Sequence, residues 1–78
     1  MEKIIIQMND RAKGAKALTQ ILTKYDFDAD IKCGRYMVDA KSMLGVLCLP
    51  ASEQMELLVH TDNVQPVVEQ LRQLQMCV

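Results

Sequence analysis

Apolar and polar residues alternate along this chain with two different periods, and the changes of period mark its elements. In "KIIIQM", residues 3–8, Ile4, Ile6 and Met8 recur at every second position, the period of a half-buried strand. "NDRAKG" breaks that pattern. From about Ala15, the apolar positions Leu18, Ile21, Leu22 and Tyr25 follow helical spacing, so they predict one stripe of an amphipathic helix ending near Tyr25. Period two then returns. "DADIKC" sets Ala29, Ile31 and Cys33 against Asp28, Asp30 and Lys32, and Gly34 marks a tight turn into "RYMVDA", a hairpin partner with Tyr36 and Val38 facing inward.

The stretch from Lys41 to Leu49 contains good helix formers, has Ser42 as a candidate cap, and stops at Pro50. It holds about two turns. On such a helix Val46 and Leu49 share a core-facing stripe, whereas Met43, Leu44 and Leu47 lie on a different arc. "ASE" reads as a loop, and "QMELLVH" is a strand with Met55, Leu57 and Val59 on one face. A last helix follows, capped by Asp62 or Asn63, with Pro66 in its first turn and Val64, Val67, Val68, Leu71 and Leu74 as its stripe. The predicted order is β-α-β-β-α-β-α. This is an α+β open-faced sandwich, a four-stranded, mostly antiparallel sheet with three helices on one face and the other face wet.

Seventy-eight residues are expected to form a single domain over 1–78, with a small core built from aliphatic and methionine side chains because only Tyr25, Tyr36 and Phe27 are aromatic. A formal charge of −1 argues against a dominant attraction to nucleic acid or to an anionic membrane. The expectation is therefore neither a nucleic-acid nor a membrane partner. Cys33, Cys48 and Cys77 form no close pair and are read as reduced thiols in or near the core of a cytoplasmic protein, with no disulfide framework and no metal. The opening apolar run is too short for a signal peptide or a membrane span. His60 has no acid, cysteine or second histidine at a ligand or triad spacing, so it reads as a solvated strand-end residue.

"VDAKSMLGVLCLPASEQMELLVHTDN", followed by an amphipathic helix, resembles the HPr family, the histidine-containing phosphocarriers of the bacterial sugar phosphotransferase system (PTS). "DAKSMLGVL" is the most specific part, since family members open a short second helix with a similar A-K-S-apolar-apolar-G-apolar run; "FDADI" is a weaker match. The resemblance implies the HPr-like sandwich over nearly the whole chain and a phosphoacceptor histidine in a G-[LI]-H-[AT]-R-P-A loop at the start of the first helix. This chain has "NDRAKGAKA" there. Counted back from Phe27 without a gap, Lys13 takes the histidine's place, Ala15 the arginine's and Lys16 the proline's. Lysine carries its proton at neutral pH and is a poor phosphoryl acceptor, so Lys13 marks the position of a missing phosphohistidine.

What remains points to regulation or binding rather than catalysis. Arg11, Lys13 and Lys16 crowd the start of the first helix, where positive charge opposes the macrodipole; solvent and Asp10 offset this, or a noncovalently bound anion does. By resemblance, Ser42 matches a regulatory phosphorylation site of HPr proteins from Gram-positive bacteria and of their histidine-lacking paralogues, the catabolite-repression HPr-like proteins; capping alone explains a serine here, and cap and switch are compatible. Met43, Leu44 and Leu47 match positions at which the family docks protein partners. The expectation is a non-enzymatic, HPr-like regulatory or protein-binding chain, without cofactor, monomeric or weakly self-associating. The alternatives are a phosphocarrier that uses another acceptor, and a small self-associating module.

Overall fold

The computed structural model describes residues 2–49 and 54–76. Four strands, β1 (Glu2–Ile6), β2 (Ala29–Cys33), β3 (Tyr36–Asp39) and β4 (Met55–Val59), and three helices, α1 (Arg11–Leu22), α2 (Met43–Leu47) and α3 (Gln65–Gln73), follow the predicted order. The strands line up as β1-β4-β2-β3 with every neighbouring pair antiparallel. Register places Ile4, Leu57, Ile31 and Val38 in one row across the sheet, on the face that carries the helices. Leu18 and Leu22 of α1, Val46 of α2, and Val67 and Leu71 of α3 close over that face, and with Ile6, Ala29, Met55 and Val59 they make one core. The period-two alternation therefore found its faces correctly. Pro50, the "ASE" loop and Cys77 lie outside the described residues.

Several local expectations are corrected. Helix α1 starts at Arg11, four residues earlier than Ala15, because the Asp10 carboxylate accepts the Lys13 N–H at 3.2 Å and caps a segment that looked like a breaker. Gly14 sits inside that helix because the Met8 side chain lies over it: a Cβ there would stand 2.8 Å from Met8 Cγ. The strand stops at Ile6, so Met8 packs beside the core rather than as a strand residue. At the other end, α1 closes at Leu22 and tight turns carry Tyr25 off the helix, where its ring stacks on Phe27 at 5.0 Å and its hydroxyl donates to Gln70 at 3.2 Å.

Tyr36 shares a face with Cys33, as predicted, yet it is 54% exposed. It lies at the hairpin end of edge strand β3, whereas α2 covers only the end around Val38, whose Cβ would be 3.4 Å from a Cβ on Gly45. Neither Asp62 nor Asn63 caps α3; Val64 holds the cap position without a side-chain bond. Pro66 in the first turn has no N–H, so one of the donors that a cap would satisfy is absent. Leu74 is exposed because the helix ends before it and Gln75 turns left-handed at φ 59°. The Met76 N–H then donates to the Leu71 carbonyl at 2.9 Å and the Gln75 N–H to the Arg72 carbonyl at 3.0 Å, a Schellman closure that buries Met76 in place of Leu74.

Candidate functional site

Helices α1 and α2 lie side by side, tied at both ends by a cation on a carbonyl. Arg11, the first residue of α1, donates from Nη1 to the Leu49 carbonyl at 2.8 Å, with the Val46 carbonyl at 3.5 Å, so a guanidinium sits on the last carbonyls around the C-terminus of α2. At the opposite end, Lys41 Nζ donates to the Tyr25 carbonyl at 2.8 Å and stands 5.9 Å from the centre of the Phe27 ring. These contacts join the start of α1 to the end of α2, and the residue before the α2 cap to the turn after α1.

That geometry divides the basic residues predicted to crowd one anion site. The Arg11 side chain turns to α2, while Lys13 and Lys16 remain exposed on α1. Removal of Arg11 should therefore act on stability: Arg11→Ala is expected to cost about 1.5–3 kcal/mol, the range for a hydrogen bond to a charged group. Arg11→Lys should recover part of it. Urea unfolding measures both, and a change below about 0.5 kcal/mol, the ordinary surface value, would mean that the contact contributes nothing.

Ser42 is exposed and has extended backbone, and its hydroxyl accepts the Gly45 N–H at 3.2 Å, so it caps α2. The Asp39 carboxylate accepts the Lys41 N–H at 2.9 Å and sets the turn that leads into the cap. Beyond it, Val46 and Leu49 are buried, whereas Leu44 is 74% exposed, Met43 40% and Leu47 37%. The three therefore differ as surface residues. Leu44 stands clear, and Met43 and Leu47 keep more than half of their area covered by the fold. Cys48, expected in or near the core, is exposed instead: it takes the C-cap position of α2, out of phase with the buried Val46 and Leu49 on either side of it. Cys33 is buried on β2.

His60, the chain's one histidine, follows β4. Because Val59 pairs with Glu2 and Met55 with Ile6, it lies at the end of the sheet opposite to the one where β1 passes into α1. Its Nε2 is 3.2 Å from an Asp30 carboxylate oxygen, and its N–H donates to the Asp28 carbonyl at 2.9 Å. No group of three His, Cys, Asp or Glu side chains among the described residues could hold a metal ion, and no helix there is long and apolar enough to cross a membrane.

The arrangement compares directly with one solved fold. The crystal structure of HPr-C-His from Thermoanaerobacter tengcongensis is similar with a TM-score of 0.73, over 95% of this chain and 90% of that one. At 20% identity the likeness shows the fold alone. No curated protein matches the sequence. The family model described as "PTS HPr component phosphorylation site" matches residues 3–75, a span that runs from β1 to the turn after α3. On that match, the chain belongs to the PTS HPr family.

Proposed function

We propose that this chain is a non-catalytic regulatory relative of the PTS phosphocarriers, which binds a protein partner through α2 and carries no phosphoryl group on an imidazole. The observation that carries the reading is the exposed side of α2, where Leu44 stands in solvent beside the half-covered Met43 and Leu47, near the exposed Ser42. An exposed apolar group that includes a methionine adapts to a partner surface. The start of α1 supports the other half of the reading: Asp10 is the cap, Arg11 is committed to α2, and Lys13 lies inside the first turn. Residues 7–16 contain no histidine.

Ser42 supplies a switch in this reading. A phosphate there adds about −1.5 to −2 charges at the start of α2, where free N–H groups favour an anion, so the fold survives or gains stability. Docking changes in the other direction. The same charge lies beside Met43 and Leu44, which weakens binding to an apolar or acidic surface and favours one that presents arginines. The test is incubation with an HPr-specific serine kinase and ATP, with Ser42→Ala as the control and Ser42→Asp compared for thermal stability and partner binding. Modification of the wild type alone, with an unchanged or higher Tm, is the expected outcome. A wild type left unmodified where an authentic HPr is phosphorylated reduces Ser42 to a helix cap.

A further inference from the structure

The face of the sheet away from the helices carries a pattern that matches itself. Register sets two rows of outward residues across the strands in the order β1-β4-β2-β3: Lys3, Leu58, Asp30, Asp39 in one, and Ile5, Glu56, Lys32, Met37 in the other. We infer that this face docks a second copy of the chain, related by a two-fold axis that runs parallel to the strands between β4 and β2. Such an axis keeps each row at its own height and reverses its order. Within each copy Lys3 Nζ already stands 3.7 Å from Glu56 Oε1, and the Asp39 carboxylate accepts the Lys41 N–H at 2.9 Å. Across the axis these groups gain second partners, Lys3 facing the second copy's Asp39 and Glu56 its Lys32, while Ile5 faces its Met37, and the symmetry makes each contact twice.

Charge complementarity selects this arrangement over its rival. A two-fold axis across the strands would instead exchange the rows, setting Lys3 on Ile5, Leu58 on Glu56 and Asp39 on Met37, which leaves only Asp30 with Lys32 as a favourable pair. In the favoured arrangement the one mismatch is Leu58 against Asp30. There the Asp30 carboxylate is already turned to His60 Nε2 at 3.2 Å, and the two Leu58 side chains approach diagonally across the axis. Aligned packing of two sheets about 10 Å apart is a standard geometry for such faces.

The size of the face sets the strength. Four strands about 4.8 Å apart, three of five residues and one of four, cover roughly 300 Å² per copy, well below the ~800 Å² per partner of a stable complex. The dimer is therefore weak, in the high-micromolar to millimolar range, and salt-sensitive. It leaves α2, on the opposite layer, free on both copies, and it stands independently of the function proposed above.

Sedimentation in reducing buffer, which prevents cross-linking through the exposed Cys48, gives the test. The weight-average mass of the wild type should rise from 8.8 kDa toward twice that value as the concentration approaches about 1 mM. Lys32→Glu and Glu56→Lys, each alone, set like charges across the axis and should weaken association at least tenfold. Mixed with each other they restore opposite charges at both contacts, and the mixture should associate. A wild type that keeps its single-chain mass, or single variants that associate as well as it does, overturns the inference. Should either variant fail to fold, the wild type alone decides: amide shifts that change with concentration must centre on Ile5, Lys32, Met37, Glu56 and Leu58, and a centre on α2 or elsewhere refutes the proposed face.

Discussion

Leu57→Ala should lower the unfolding free energy by about 3–4 kcal/mol, near the middle of the range for truncating a buried leucine. Leu57 is fully buried at the centre of β4, with Ile4 and Ile31 beside it in the same row and both neighbouring strands paired to its own. The sheet cannot easily collapse into the space left there, because backbone ladders on both sides fix its position. A chain of this length has about 4–12 kcal/mol of total stability, so the variant forfeits a large part of it. Denaturant unfolding should show a lower midpoint with an unchanged slope. A loss below about 1 kcal/mol would mean that the core lies elsewhere.

Leu44→Ser should leave stability within about 0.5 kcal/mol of the wild type and weaken partner binding at least tenfold. The side chain is 74% exposed, so folding contributes little to its burial and docking would contribute most. Met43 and Leu47 are poorer probes. Since the fold already covers more than half of each, serine at either position should cost about 1 kcal/mol of stability and blur the two effects. Titration against enzyme I or an HPr-specific serine kinase reads the binding, and unfolding of the free protein reads the stability. Equal affinity for Leu44→Ser and wild type would remove α2 as the docking surface.

Strand faces were legible in the sequence because Ile4 and Ile6, Ala29, Ile31 and Cys33, and Met55, Leu57 and Val59 keep strict period two, which has only two phases to choose from. The Ser42 cap was legible for a similar local reason: a serine precedes a run of helix formers. The start of α1 was not, since Gly14 and the charges around it look like a breaker until Met8 is seen lying over the glycine. Tyr36 had the right face and the wrong burial, because alternation specifies a side of the sheet and says nothing of whether a helix covers its edge. Leu74 continued the helical stripe, but the left-handed turn at Gln75 depends on Met76 finding the core, a tertiary effect. The Arg11 contact with Leu49 joins residues 38 apart in sequence, and no local pattern announces it. It accounts for one of the cations that, read along the chain, had suggested an anion site.

We propose that this chain of the PTS HPr family has given up phosphoryl relay through histidine. Incubation with phosphoenolpyruvate and enzyme I, followed by mass spectrometry at neutral pH to preserve phosphoramidates, tests it most directly. The wild-type mass should stay unchanged while an authentic HPr in the same reaction gains the ~80 Da of a phosphoryl group. A gain of that size on this chain, acid-labile and mapping to Lys13 or His60, would contradict the claim and make the protein a phosphocarrier with a different acceptor.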